Sequence, residues 1–406
     1  MSYKIIEGSV TAAKGFKASG VHCGIRKNKS KRDLALIYCE KKCTAAAVYT
    51  TNLVQSSPIT VTKKNLADGY AQAVICNSGN ANTCNADGME KAEMMCKLTA
   101  DKLGISAEDV IVGSTGVIGQ ILPIEPIADG MEQLVSELSV DGSTNAAEAI
   151  MTTDTISKEY AVETVIDGKT VRVGGISKGS GMIHPNMATM LCFVTTDAAI
   201  SPEMIQKAVK TAADKTFNMI SIDGDTSTND TLSVMASGLA GNTVITEEND
   251  DYYTFLEALT AVCRGLSVMM AKDGEGATKL LICKVSGAKT ENDAKLVSKS
   301  VICSSLLKAA MFGSDANWGR VLCAIGYSGA DVDVNKVDVS FASKAGKIDV
   351  CRNGAGIEFS EEFAKTVLTE DEIDIIVELN DGNGTSEAYG CDLTYEYVKI
   401  NGDYRT

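Results

Sequence analysis

In the middle of this 406-residue chain a flexible Lys178-Gly179-Ser180-Gly181 run leads to His184-Pro185. The proline ring fixes one backbone angle and pushes His184 out of the helical region, so the segment has a hinge at its centre. Asn186-Met187-Ala188-Thr189 follows, and the apolar run from Met190 to Val194 reads as a buried strand that starts just after the Thr189 hydroxyl. A hydroxyl at such a loop-to-strand junction, preceded by small Ala188, can attack its own upstream peptide carbonyl. Cleavage there would leave Thr189 as a new N-terminus, with the freed amine in reach of the hydroxyl oxygen as its base. On spacing alone the same residue also reads as a threonine that merely starts a strand from a turn.

Upstream, Gly15 to Ile59 alternates short apolar runs with polar ones and predicts several strands joined by turns. A strand over Ala71 to Cys76 runs into Asn77-Ser78-Gly79-Asn80-Ala81-Asn82-Thr83, a polar loop that either folds on its own side-chain hydrogen bonds or lines a pocket. Glu90 to Leu103 has helical spacing. Ile111-Val112-Gly113-Ser114-Thr115-Gly116-Val117-Ile118-Gly119 leads apolar residues into a Gly-punctuated turn, which is either a plain strand-turn or a nest of outward N–H groups for an anion or oxyanion. It matches neither dinucleotide nor P-loop phosphate patterns. In Ala146 to Lys158, Thr152, Thr153 and Thr155 form a hydroxyl-rich loop after a helix end. Asp167-Gly168 predicts a two-residue hairpin turn that delivers the chain to the central segment.

Downstream, Ser201-Pro202 predicts an N-cap with proline in the first helical turn, followed by an apolar face from Ile205 to Ala213. Asp223-Gly224-Asp225-Thr226-Ser227-Thr228-Asn229-Asp230 resembles a phosphotransferase Asp-x-Asp, but Ser227 stands where that signature has Thr or Val. Leu256, Leu259, Val262, Leu266 and Met269 define a second helix stripe, which ends near Asp273-Gly274-Glu275-Gly276. There Glu275 sits on backbone that can approach a ligand closely. A third helix is predicted from Asp293 to Met311, and a half-buried strand through Ile373, Ile375, Val377 and Leu379 leads to the turn Asp381-Gly382-Asn383-Gly384.

Composition limits what the chain can bind. Its length suggests two or three packing units. The net charge of −15 repels nucleic acid, anionic membrane and acidic metabolites, so a carboxylate-bearing substrate needs a local cation. The N-terminal stretch lacks the pattern of a secretory signal, and no window approaches ~18 consecutive apolar residues, so a cytoplasmic protein with no membrane partner is expected. Thirteen scattered cysteines, among them Cys23, Cys76, Cys192, Cys263, Cys323 and Cys391, read as reduced core residues. Cys39 and Cys43 form the close pair, but two histidines in the whole chain give zinc few further ligands, and no metal is expected. Neither His22 nor His184 has a recognisable triad partner.

The segment from Lys178 to Leu191 resembles the cleavage segment of the ornithine acetyltransferase (ArgJ) family, whose members cut themselves before the threonine of an Ala-Thr-Met-Leu motif. Ser114-Thr115-Gly116-Val117-Ile118-Gly119, the Thr152-Thr153-Asp154-Thr155 run, Asp273 to Thr278, Asn317 to Arg320 and the tail from Tyr389 to Thr406 resemble the same family, so the likeness covers essentially the whole chain. It implies an α/β fold, a layered α-β-β-α sandwich of the ArgJ/DmpA type. Fragments 1–188 and 189–406 would be interleaved in one core. It further implies that Thr115 and Gly116 form the oxyanion hole and that Thr189 is the nucleophile. Thr152 (with Thr153 close behind), Lys178, Glu275, Asn401 and Thr406 would contact substrate. Asn317 to Arg320 is assigned to local structure, and the Asp223 octet to a polar loop near the site.

The implied activity is acetyl transfer from N-acetylornithine to glutamate, without a cofactor, with acetyl-CoA as a candidate second donor and two alpha and two beta chains in the assembly. The alternatives are a self-cleaving aminopeptidase, an amino-acid-binding sensor without turnover, or a phosphatase acting through Asp223 or Asp225.

Overall fold

Alternating and fully apolar stretches pair into two mixed sheets, and the amphipathic stretches between them become helices that cover the sheet faces. The computed structural model describes residues 2–184 and 190–403. The first sheet runs in the order Tyr3–Ile6, Lys158–Ile166, Lys169–Lys178, Leu191–Thr196, Thr231–Ala236, Leu34–Tyr49, Tyr70–Asn80 and Val110–Val117, with Phe16–Val21 also paired to Leu34–Tyr49. The second runs Ala355–Gly356, Gly346–Arg352, Asp338–Ser343, Glu372–Glu378, Leu280–Ala288, Gly384–Cys391 and Ile220–Ser221. This is the two-sheet, helix-covered α/β architecture that the resemblance implies.

Helices Pro202–Lys215 and Asp250–Lys272 pack on the first sheet, and their core continues into Leu280, Ile282, Tyr389 and Cys391 of the second. The second sheet is covered by Glu291–Cys303, Ser305–Phe312, Trp318–Gly326 and Glu361–Leu368 through Val297, Leu307, Val321 and Leu368. Each such fully buried aliphatic side chain contributes about 1.5–3 kcal/mol relative to exposure. The helix Asp250–Lys272 is long and apolar enough to cross a membrane by length and composition. Its Phe255, Leu259, Val262 and Leu266 nonetheless lie in the core between sheet and helix.

Several local expectations hold. Asp167 (φ 51°) and Gly168 (φ 68°) make the tight left-handed turn between Lys158–Ile166 and Lys169–Lys178. Ser201 caps its helix by accepting from Met204 N at 3.3 Å, with Pro202 in the first turn. Met190 to Val194 leads into the buried strand Leu191–Thr196. Asn317 caps Trp318–Gly326 by accepting from Arg320 N, a local structural role as expected.

Other expectations need correction. The chain over 34–49 is one sixteen-residue strand, not two joined by a turn. Its first half pairs with Phe16–Val21 and its second with Thr231–Ala236, and polar Glu40-Lys41-Lys42 spans the change of neighbour. Ile59 belongs to a helix, Ser57–Asn65, with proline in its first turn. The single helix predicted from Asp293 to Met311 is two, because Ser304 is extended (φ −67°, ψ 106°) and its hydroxyl caps the second by accepting from Leu307 N. All thirteen cysteines are free, but Cys84 and Cys323 are exposed, so Cys323 is not a core residue. Cys39 and Cys43 are buried on the long strand.

Candidate active site

The strand Val110–Val117 lies parallel to Tyr70–Asn80, and its end carries Thr115 opposite Ser78 and Asn80, with Gly116 opposite Gly79. Gly116 has φ +133°, and a Cβ there would stand 2.3 Å from the Gly79 carbonyl carbon. Two backbones touch at this point, which only glycine permits. The polar run from Asn77 is a loop only after Asn80, because its first four residues continue the strand. It bonds both to itself, with Asn77 Nδ2 donating to Asn80 O (3.0 Å) and Asn82 N to Asn80 Oδ1 (2.8 Å), and to other segments, with Ser78 Oγ donating to Ala149 O (2.7 Å) and Asn80 Nδ2 to Gln120 O (3.0 Å). The Thr83 hydroxyl reaches Asn229 Oδ1 at 2.9 Å. Of that run, Gly79 faces the adjacent cleft.

That cleft has a volume of about 550 Å³. Its lining includes Gly116 and Val117, Thr152 and Thr153, Arg26, Lys27 and Lys31, together with Ile400 of the last helix and Asp403 just beyond it. Two further clefts, of about 480 and 530 Å³, carry none of the residues expected at the site.

Lys178-Gly179-Ser180-Gly181, leaving the strand Lys169–Lys178, is the hub. Gly179 N donates to Asp154 Oδ1 at 2.7 Å. The hydroxyls of Ser180 and Thr153 are 2.7 Å apart, and Ser180 O accepts from Glu275 N at 2.7 Å. A Cβ on Gly181 would fall 2.4 Å from the Glu275 carboxyl carbon, so the absent side chain leaves room for that carboxylate. Glu275 Oε2 accepts in turn from Asn401 Nδ2 at 2.7 Å. Among the described residues the Thr152 hydroxyl makes no hydrogen bond, whereas that of Thr153 is engaged with Ser180.

The Lys178 side chain is buried, and it makes no ion pair among the described residues. Burial lowers its pKa, while the carboxylates of Asp154, Asp230 and Glu275 pull it back up and Lys158 opposes them. Burial would raise the Asp154 carboxyl, but Lys178 and Lys158 outweigh that and bring it to about 2.

The structure therefore brings Gly116, Thr152, Thr153, Lys178, Glu275 and Asn401 to one place, with Thr115 beside Gly116. Ala188, Thr189 and Thr406 lie outside the described residues. The segment that precedes them is clamped by the Asp223 octet. Asp223 accepts from Met182 N (2.5 Å) and Ile183 N (2.8 Å) and from the Tyr397 hydroxyl (3.2 Å), and the Thr226 hydroxyl donates to His184 O (2.9 Å). Both Asp223 oxygens thus hold backbone, which suits a clamp and not a phosphorylated aspartate. His184 Nδ1 lies 3.1 Å from Ser221 Oγ and 3.4 Å from Cys303 Sγ, partners that sequence spacing does not reveal. Burial and the Lys299 ammonium, against Asp225, lower its pKa to about 4.

Four contributors escaped the sequence reading: Asp154, Lys158, Asp273 and Arg26. Asp154 and Lys158 stand inside the hydroxyl-rich run and Asp273 inside the glycine-rich run already singled out, and that was their signal; Arg26 had none.

Residues 17–406 match the ArgJ family. The arginine biosynthesis bifunctional protein ArgJ of Caldanaerobacter subterraneus subsp. tengcongensis is 50% identical over 404 residues, covering 99% of this chain and 100% of that protein. The bifunctional protein ArgJ 1 of Clostridium acetobutylicum is 50% identical over 399 residues, 98% of each chain. The crystal structure of the bifunctional protein ArgJ from Bacillus halodurans is similar at 47% identity and a TM-score of 0.50, covering 52% of this chain and 98% of that one. A match of this extent, over the same residues that build the cleft, makes the assignment direct: the chain belongs to the ArgJ family.

Proposed function

We propose that this chain is an acetyltransferase of arginine biosynthesis. It moves the acetyl group of N-acetylornithine to glutamate through an ester on Thr189, after cutting itself between Ala188 and Thr189. The observation that carries the reading is the convergence on Lys178 to Gly181, where a buried lysine with no ion pair among the described residues, the Glu275–Asn401 pair and the Thr152 loop meet just upstream of the proposed cleavage point. Relatives about half identical along the whole chain are named as arginine biosynthesis proteins. The similar crystal chain matches only 52% of this one while being covered almost end to end, as expected of a family present as two fragments.

The chemistry follows from the groups available. The freed α-amine of Thr189, with a reference pKa of ~7.7–8.0, takes the hydroxyl proton as the oxygen adds to the acetyl carbonyl. Thr115 and Gly116 hold the oxyanion. As the tetrahedral intermediate collapses, the ornithine α-nitrogen leaves with the proton from the Thr189 ammonium, and an acetyl-threonine remains. The glutamate amine attacks that ester, and the hydroxyl is restored. Lys178 pairs with a substrate carboxylate, Glu275 with the ornithine ammonium, and Thr152, Asn401 and Thr406 complete recognition. The Thr152 hydroxyl, without a hydrogen bond among the described residues, is favoured over that of Thr153, which Ser180 engages.

Acetyl-CoA is the second donor; Arg26, Lys27 and Lys31 place cations on the cleft wall where its phosphates would lie. No cofactor or metal takes part. Fragments 1–188 and 189–406 assemble as two of each in the cytoplasm. Initial rates with N-acetylornithine and glutamate both varied are expected to give parallel lines, and intact mass to give two fragments split at Ala188/Thr189. Intersecting lines would overturn the ester intermediate. Amine release without acetyl transfer would indicate an aminopeptidase, and one unbroken, inactive chain that binds amino acids a sensor.

A further inference from the structure

Three segments read above as substrate contacts come from distant parts of the chain: the Thr152 loop, Lys178 at the end of its strand, and the Glu275 loop. One buried ionic cluster joins them. Lys158 Nζ, whose side chain has no exposure, lies 2.6 Å from Asp154 Oδ1 and 2.6 Å from Asp273 Oδ2. Asp154 uses its remaining capacity on backbone, accepting from Thr152 N at 2.9 Å and Gly179 N at 2.7 Å. One carboxylate therefore fixes Thr152 itself and the peptide next to Lys178. Asp273 accepts from Thr155 N at 3.1 Å and also from the Thr155 hydroxyl, two residues before Glu275.

The charges explain why the arrangement leaves Lys178 available. Lys158 occupies the close ion-pair positions on both Asp154 and Asp273. Lys178 is held near Asp154 by its field and remains without a contact ion pair among the described residues. A buried cation in that state attracts an incoming carboxylate strongly. An acidic residue bonded directly to Lys178 would compete with substrate instead.

We propose that Asp154, Lys158 and Asp273 form a positioning relay that sets the mutual placement of Thr152, Lys178 and Glu275 and the charge of Lys178, without touching substrate. The proposal rests on the reading of those three as substrate contacts. Asp154→Asn preserves shape and removes the charge, so the KM for glutamate is expected to rise at least tenfold with kcat changed less than about threefold. The groups facing Lys178 are Asp154, Asp230, Glu275, Lys158 and the Cys76 thiol. Loss of the carboxylate that raises the Lys178 pKa most moves its deprotonation to lower pH, so the alkaline rise in KM is expected to begin earlier in the variant.

In a Lys178→Met background Asp154→Asn is expected to raise that KM by much less than it does in the parent, because part of its effect runs through Lys178 and only the part through Thr152 remains. Multiplicative effects, an unmoved pH limb, or a lower melting temperature with unchanged KM would overturn the relay. If Lys178→Met alone leaves every KM unchanged, the substrate-contact reading fails instead. Should Asp154→Asn not fold, Thr155→Val at an exposed position removes one hydroxyl donor to Asp273 and is expected to raise the KM for N-acetylornithine about threefold; an unchanged value counts against the relay.

Discussion

At the scale of single residues, the site is defined by what each group lacks as much as by what it touches. Thr115 stands beside a glycine whose backbone is pressed against Gly79. If its hydroxyl assists the oxyanion, Thr115→Ala lowers kcat roughly 10²–10³-fold with little change in melting temperature, as for loss of one oxyanion donor; a kcat within threefold of the parent would remove it from the mechanism. His184 makes a separate prediction about pH. Its pKa is lowered from 6.5 to about 4 in the fold, so below 6.5 the unfolded chain takes up the proton first. The stabilisation is complete above the unfolded pKa and is lost as pH falls from 6.5 towards 4. His184→Asn is expected to flatten the decline of urea stability over that window, and equal slopes would show that the imidazole does not titrate as inferred.

At the scale of elements, local signals work where one neighbour decides the outcome. The Ser201 cap is such a case: Ser201→Ala is expected to cost about 1 kcal/mol in urea denaturation while leaving both KM values alone. A change in KM with that substitution would mean the helix is coupled to the cleft. The hairpin at Asp167-Gly168 was legible for the same reason, since two adjacent residues supply the whole turn. The strand Leu34–Tyr49 was misread because its polar centre answers to a change of partner, from Phe16–Val21 to Thr231–Ala236, that lies nearly two hundred residues away. The break at Ser304 was missed because a serine inside an apolar helical pattern gives no warning that its hydroxyl will cap the following turn.

At the scale of the whole molecule, the proposed cut divides the chain but not the fold. Leu191–Thr196 and Thr231–Ala236 lie between Lys169–Lys178 and Leu34–Tyr49 in the first sheet, hydrogen-bonded on both sides. The two fragments are therefore expected to elute together from a sizing column in native buffer and to separate only in denaturant. Separation without denaturant would contradict this interleaving.

Residue order displays a hydroxyl after a hinge, a glutamate between glycines and a glycine-punctuated strand end, but spacing alone leaves each with a plain structural reading, and the resemblance to the ArgJ family supplies the expected roles. Folding decided which of the described residues come together. Asp154 meets Gly179 and, through Lys158, Asp273, and Asn401 meets Glu275, because two sheets and a terminal helix converge there. The pairings of Lys158 with Asp273 and of Asn401 with Glu275 depend on packing across more than a hundred residues, and no local pattern encodes them.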